Sequence, residues 1–227
     1  MKTAIITISI GNRPWFKRVK KLMIIYCKKY NHDFIVINGQ FSGDINARIK
    51  KLEVGNYLEK YDRILYLDDT VIINPLTPNI FDIVPKEYLG VVLENAPYFD
   101  KYHNLIDSLK YYDISLNGIT RDNYMWFNSG VILASKCHRN LFNKPNKSII
   151  KIGNYVDQSF FNANRYKYNI SLMNLGLRYN YMGTRLSREE PYKIDDVDNI
   201  YFYHVTRAFR DHTRKKIMNR ILSQFGY

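Results

Sequence analysis

The sequence predicts a single α/β domain in which helices cover both faces of a central, mostly parallel sheet. Apolar runs of strand length at 4–10, 33–38, 63–67, 89–94 and 131–135 alternate with segments of helical periodicity. The 227 residues suit one such domain, and they contain neither an internal repeat nor a linker rich in Gly, Ser or Pro. In sheets of this class ligands bind at the carboxyl ends of the strands, so residues that follow strands are the first site candidates.

The helices are predicted from local signals between these strands. Pro14 follows the first strand and suits the first turn of a helix. The apolar residues that recur at helical spacing in this helix are Trp15, Val19, Leu22, Met23 and Tyr26. Further helices are predicted near 46–60, 98–112, 157–165 and 209–224.

The composition limits the classes of partner and location. A formal net charge of +13 favours an anionic partner, which could be nucleic acid, a membrane surface or a phosphate-bearing substrate. The basic residues are mostly dispersed, as on solvated helix faces. No apolar run approaches the ~20 residues of a membrane span. The N-terminal run alternates like a buried strand and lacks a signal-peptide cleavage pattern, so we expect an intracellular protein.

The adjacent acids Asp68 and Asp69 follow directly after the predicted strand 63–67. Burying a lone carboxylate costs several kcal/mol, and two together repel each other unless a cation lies between them. A solvated turn is the alternative, because Asp is a common turn former. The position at the carboxyl end of a strand favours a ligand site.

Four separated motifs resemble one known group of enzymes. They are YLDDTVIINPL at 66–76, WFNSGVILASK at 126–136, DQSFFN at 157–162 and YFYHVTRAFR at 201–210. Together and in this order they resemble nucleotide-sugar glycosyltransferases of the GT-A fold. They are most similar to family 8, the glycogenin-like and galactosyltransferase group. Glycosyltransferase domains of large DNA viruses are also similar. The resemblance implies a GT-A domain over 1–210.

The resemblance implies a metal site at the aspartate motif. The family usually has Asp-x-Asp there, and these carboxylates hold Mn²⁺ or Mg²⁺ on the donor diphosphate. Asp68 matches the first position, whereas Thr70 stands in place of the second Asp and Asp69 lies between them. Either Asp69 replaces the missing ligand or Thr70 contacts the ion through water, and we favour Asp68 and Asp69. His204 stands where the family has its metal-ligand His.

The second and third motifs imply contacts with the sugar. Asn128 corresponds to a residue that contacts the donor sugar. Asp157 would accept hydrogen bonds from sugar or acceptor hydroxyls, and Gln158 would reach the reacting centre. These two are the catalytic candidates. Asp157 also suits a helix cap, and the two roles are compatible.

The remaining assignments concern the nucleotide and the acceptor. The family seats uracil and ribose at the end of strand one, and its diphosphate contacts lie after the conserved His. The donor-binding candidates at these places are Thr7, Ile8, Ser9, Ile10, Arg207 and Arg210. The two arginines replace a family Gly and Lys and could bind diphosphate oxygens in bidentate fashion. Lys51 stands near the place of a family Lys or Arg that contacts the donor, with Lys50 and Arg48 as alternatives, and Glu94 could face the acceptor.

The sequence thus predicts a Mn²⁺- or Mg²⁺-dependent glycosyltransferase. It would move a sugar from a nucleotide-sugar donor, expected to be a UDP-sugar, to a hydroxyl on a glycan, protein or lipid-linked acceptor. Family 8 enzymes retain anomeric configuration, whereas an inverting enzyme would need Asp157 or Glu94 as base. One rival is a basic nucleic-acid-binding protein, but no binding module is recognisable and we expect no nucleic-acid partner. Another is an Asp-pair nucleotidyltransferase, which leaves DQSFFN and the terminal HVTR unexplained.

The C-terminal residues 211–227 are predicted to form a basic amphipathic helix packed on the domain. Residues 207–220 carry six basic residues and one acid, and apolar residues follow at near-helical spacing. The apolar side would pack on the domain. The basic side could alternatively meet an anionic membrane or a lipid-linked acceptor, since basic amphipathic helices favour such surfaces.

Overall fold

The computed structural model describes residues 1–11, 13–39, 43–94, 100–182, 199–206 and 211–227. The strands in these ranges are β1 (Thr3–Ile10), β2 (Asp33–Gly39), β3 (Arg63–Asp68), β4 (Val71–Ile73), β5 (Leu89–Leu93), β6 (Phe127–Ser135), β7 (Leu172–Asn174) and β8 (Phe202–His204). The α-helices are α1 (Phe16–Tyr30), α2 (Asp44–Ile49), α3 (Ile80–Ile83), α4 (Tyr102–Tyr111), α5 (Asp157–Lys167) and α6 (Asp211–Gln224). Short 3₁₀ helices cover Lys50–Glu59, Lys136–Phe142 and Leu177–Tyr179.

Within the described ranges, the central sheet has six strands in the order β2-β1-β3-β6-β5-β7. β1 runs parallel to β2 and β3, β5 runs parallel to β7, and β6 is antiparallel to both of its neighbours. The predicted α/β class with a mostly parallel sheet is therefore confirmed. Leu67 of β3 pairs with Val131 of β6, so the start of β6 lies at the same edge as the end of β3. A second, two-stranded sheet joins β4 to β8 and pairs Val71 with His204.

The two faces of the sheet bury separate apolar clusters. Ile5 and Leu65 point to the face that α1, β4, β8 and α6 cover. Ala4 and Ile64 point to the opposite face, which α5 and the first two 3₁₀ helices cover. Successive side chains of a strand point to opposite faces, so strands buried on both sides read as continuous apolar runs. All five residues of the predicted apolar face of the first helix are buried.

Several predicted boundaries were wrong. The helix expected near 46–60 is α2 followed by the 3₁₀ helix Lys50–Glu59. In that 3₁₀ helix a Cβ on Gly55 would lie 2.4 Å from the Cβ of Phe142, so tight contact between two short helices sets the local geometry. β6 begins at Phe127 rather than 131, which places Asn128 inside a strand. α4 begins at Tyr102, and residues 95–99 lie outside the described ranges.

The C-terminal helix α6 packs into the same core as α1. Met218, Ile221 and Leu222 are buried within the cluster on that face of the sheet. Arg18 of α1 donates hydrogen bonds to the side chain of Asn219, at 2.7 Å, and to the backbone oxygen of Tyr227. Among the described helices, none is long and apolar enough to cross a bilayer.

Candidate active site

The candidate site lies where the ends of several elements meet at one edge of the sheet. β3 ends at Asp68, and Ile8 of β1 pairs with it. Glu94 follows β5, and Asn128 is the second residue of β6. α5 begins with Asp157 and Gln158, and β8 ends at His204. A bulge in the pairing of β5 with β6 falls between Val91 and Leu93, directly before Glu94. Bulges are common beside active sites because they redirect side chains.

A buried lysine joins two of the predicted acids. The Nζ of Lys51 lies 2.9 Å from Oδ1 of Asp68 and 2.5 Å from Oδ2 of Asp157, and it donates to the backbone oxygen of Ser129 at 3.2 Å. Burial opposes the charge on Lys51, but Asp157 and Asp68 raise its pKa above the usual value. This ammonium therefore stays charged and holds two carboxylates together that would otherwise repel each other.

Asp157 is fully engaged by partners. Besides Lys51, it accepts hydrogen bonds from the guanidinium of Arg48 at 3.1 Å and from the hydroxyl of Ser129 at 2.7 Å. Burial would raise the pKa of Asp157, yet Lys51 and Arg48 hold it below its usual range. The helix N-cap is Val156 rather than Asp157. The suggested capping role of Asp157 was therefore wrong, although an acid in the first turn still complements the helix dipole.

Asp68 faces His204 across the end of β3. Oδ2 of Asp68 lies 3.5 Å from Nε2 of His204, and the hydroxyl of Tyr66 donates to Oδ1 of Asp68 at 2.6 Å. Burial favours the neutral acid, yet Lys51 and His204 hold the pKa of Asp68 well below its usual range.

The imidazole of His204 is oriented like a metal ligand. Its Nδ1 lies 2.7 Å from Oδ1 of Asn180, an acceptor, so Nδ1–H donates to that amide oxygen and Nε2 faces Asp68. Nε2 of His204 and the carboxylate of Asp68 can approach each other in this way only with a proton or a metal cation between them. A Cβ on Gly130 would lie 2.3 Å from Cε1 of His204, so a residue without a side chain is needed beneath the ring. A carboxylate and an imidazole suit a divalent ion.

The third predicted metal ligand is directed elsewhere. Oδ2 of Asp69 lies 3.4 Å from Nε of Arg13. Burial raises the pKa of Asp69 to about 6, with Asp68 adding to the rise and Arg13 opposing it. Thr70 is buried, and its backbone oxygen accepts from Val205. In the part of the chain that the structure describes, no three His, Cys, Asp or Glu side chains converge on one point. The choice between Asp69 and Thr70 as third ligand stays open.

Glu94 lies at the centre of the site and is completely buried. The side-chain amide of Asn128 donates to its Oε1 at 3.0 Å, and that of Gln158 donates to its Oε2 at 3.0 Å. Oδ1 of Asn128 in turn accepts from the backbone of Gly130 at 2.8 Å. These bonds link the second and third sequence motifs through one carboxylate, and they fix the orientation of both amides.

The residues predicted to contact the nucleotide are mostly buried or lie outside the described ranges. The side chains of Thr7, Ile8 and Ile10 are buried, and that of Ser9 is partly exposed. That these four residues contact the donor stays a prediction. Arg207 and Arg210 lie outside the described residues.

Sequence reasoning missed Arg13, Tyr66 and Asn180, and it gave Glu94 only a minor role. Tyr66 could have been found, because it precedes Asp68 by two residues on one strand and such residues share a face. Asn180 carries no such signal, since it follows a 3₁₀ turn outside any motif.

No protein-family model matches the sequence, and no curated protein matches it. Solved structures do resemble it. One is a glycosyltransferase involved in the glycosylation of the major capsid of PBCV-1, with 14% identity, a TM-score of 0.65, and coverage of 96% of this chain and 100% of that one. Another is the galactosyltransferase LgtC in complex with donor and acceptor sugar analogues, with 15% identity, a TM-score of 0.59, and coverage of 97% and 95%.

The bifunctional glycosyltransferase WbbM is also similar, with 12% identity and a TM-score of 0.55. The match covers 92% of this chain and 46% of WbbM. At such identities the likeness concerns the fold alone. The predicted GT-A fold is therefore confirmed, and the chemistry has to be argued from the site.

Proposed function

We propose that this protein is a metal-dependent glycosyltransferase that uses a nucleotide-sugar donor, most simply a UDP-sugar. One observation carries the proposal. Residues from four separated motifs, represented by Asp68, Asn128, Gln158 and His204, meet at one edge of a GT-A sheet. An Asp-pair nucleotidyltransferase would leave the contacts of Asn128 and Gln158 with Glu94 without a role. The solved structures that resemble the chain are glycosyltransferases, which supports glycosyl transfer in general.

Asp68 and His204 fit Mn²⁺ or Mg²⁺, with Asp69 or Thr70 as a third contact. When bound, such an ion neutralises the charge that develops on the departing diphosphate. Asn180, 2.7 Å from Nδ1 of His204, would orient the ring so that Nε2 is directed to the ion. Lys51 holds Asp68 in the ionised form, which an ion-binding carboxylate must have.

The other half of the site would bind the sugar and the acceptor. Asn128 and Gln158 are held by Glu94, so they are pre-positioned to contact hydroxyls or the anomeric centre. Asp157 is a poor general base, because Lys51 and Arg48 stabilise its ionised form. If the enzyme inverts configuration, Glu94 is therefore the better candidate base.

A donor-hydrolysis screen over UDP- and other nucleotide-sugars, with and without Mn²⁺, tests the proposal. We expect release of nucleoside diphosphate from one donor, loss of release with EDTA, and a higher melting temperature with UDP plus Mn²⁺. Asp68→Asn should abolish release, and Asp107→Asn, which changes an exposed acid without a described partner, is the matched control. Stabilisation by oligonucleotides but not by UDP plus Mn²⁺ would favour the nucleic-acid-binding alternative instead.

We also propose that the basic side of α6 contacts an anionic membrane or a lipid-linked acceptor. Lys215, Lys216 and Arg220 are exposed, whereas Met218 is buried in the core. Deleting the helix would therefore disturb packing, and Lys215→Glu with Lys216→Glu is the cleaner test. Each basic residue near an anionic bilayer contributes about 1 kcal/mol, so the pair should clearly reduce sedimentation with anionic vesicles at low salt. Equal sedimentation of the wild type and of the double variant with anionic vesicles would exclude this contact.

A further inference from the structure

An open cleft lies at the far end of α5, away from the candidate active site. Its volume is about 880 Å³, within the range of roughly 300–1,000 Å³ that is usual for ligand sites. Its walls come from the connection that follows α4 at 112–119, from 145–147 and from the last residues of α5. Among the residues that the structure describes, none of those assigned to donor, metal or catalysis lines it.

The lining of this cleft is rich in side-chain amides and tyrosine rings. Its amide residues are Asn117, Asn123, Asn146, Asn164 and Asn169, and its rings are Tyr112 and Tyr166. Two of these amides stabilise the cleft walls through hydrogen bonds. Asn123 donates to the backbone oxygen of Gly118 at 2.8 Å, and Asn164 donates to that of Leu141 at 2.9 Å.

The other three amides are available to a ligand. Asn117, Asn146 and Asn169 are exposed, and within the described ranges their side chains form no hydrogen bond. An amide offers both donors and an acceptor, which matches hydroxyl groups that also do both. Aromatic faces supply apolar area beside polar groups, as a sugar ring requires.

Three cations line the cleft, and two of them are engaged by polar partners, whereas the exposed Lys167 lies 5.4 Å from the ring of Tyr168. Lys147 forms an ion pair with Asp113 at 2.7 Å. Arg165 donates to the backbone oxygen of Ile170 at 3.1 Å, and its guanidinium lies over the ring of Tyr166 at 4.3 Å. With one cation outside an ion pair or hydrogen bond in the described ranges and several amides, the lining favours an uncharged polyhydroxyl ligand over a polyanion, which would need several such cations.

The cleft and the active site share two elements. Arg165 lies eight residues beyond Asp157 on α5, which is roughly 12 Å along a helix. Met125 lines the cleft three residues before Asn128, which is about 10 Å of extended chain. The hydroxyl of Tyr166 accepts a hydrogen bond at 3.0 Å from the backbone of Met125, which fixes the two elements to each other at the cleft.

We propose that this cleft binds a neutral saccharide chain, the part of a glycan acceptor that lies remote from the reacting hydroxyl. This inference rests on the proposed glycosyl transfer. Contacts of this kind position the reacting end at the active site, so their binding energy serves the reaction at a distance.

The direct test is binding of the full-length protein to an array of neutral and acidic oligosaccharides. The cleft variant combines Asn117→Ala with Asn146→Ala, and Asn56→Ala, an exposed amide outside the cleft, is the matched control. We expect the wild type and the control to bind a neutral oligosaccharide. The cleft variant should bind it roughly tenfold more weakly, since two hydrogen bonds are lost.

Failure to bind any neutral oligosaccharide, or equal binding by the cleft variant, would overturn the proposal. Binding of acidic glycans alone, lost at high salt, would overturn it as well. Donor hydrolysis without acceptor separates the two hypotheses, because it does not need the cleft. Donor hydrolysis without cleft-dependent glycan binding refutes only the proposal that the cleft binds a saccharide. Cleft-dependent binding without hydrolysis of any donor refutes only the proposed transfer.

Discussion

Replacing Lys51 with Met should strongly destabilise the fold, because the lysine is the buried cation between Asp68 and Asp157. Its side chain is 9% exposed and those of the two acids are 25% and 6% exposed. Removing one partner of a buried ion pair costs about 3–5 kcal/mol, since the remaining charges lose their compensation. A chain of this size loses roughly 2–4 °C in melting temperature per kcal/mol, so we expect a decrease of about 6–20 °C.

The assay is urea unfolding followed by circular dichroism, together with a thermal melt. Lys50→Met is the matched control, because Lys50 pairs with the exposed Glu53 and such surface pairs contribute about 0–1 kcal/mol. Adding Asp157→Asn to Lys51→Met should restore part of the lost stability, since it removes one of the two facing charges. A loss below about 1 kcal/mol for Lys51→Met, equal to the control, would refute the argument that this ammonium compensates both acids.

Further expectations concern the catalytic side chains. Asp68→Asn should abolish turnover while the melting curve stays cooperative, and full activity with Mn²⁺ would remove Asp68 from the metal site. Gln158→Ala should lower kcat more than it weakens UDP binding by calorimetry, and the reverse pattern would assign it to the nucleotide. Gly130→Ala should cost about 1–3 kcal/mol and weaken binding of Mn²⁺ plus UDP, because its Cβ would displace the His204 ring. Unchanged binding in the Gly130→Ala variant would show that the position of the His204 ring does not affect binding of Mn²⁺ plus UDP.

The fold class was predictable because its signals are local. Continuous apolar runs such as β1 and β3 indicate strands buried on both faces, and the helical spacing of Val19 and Met23 indicates the face of α1. Exact boundaries were less predictable, since packing decides them. The contact between Gly55 and Phe142 that accompanies the 3₁₀ helix joins residues far apart in the chain.

The sequence motifs placed Asp68, Asn128, Gln158 and His204 at or beside the ends of predicted strands and helices, because each motif borders an apolar run or a helix start. The partners of these side chains, by contrast, follow from the three-dimensional arrangement of the elements. The bond from Lys51 to Asp157 spans 106 residues, and the bond from Gln158 to Glu94 spans 64. Local periodicity carries no information about such partners. These partners depend on the order of the strands in the sheet. Because β6 runs antiparallel to β3 and β5, its first residues lie at the edge where those two strands end.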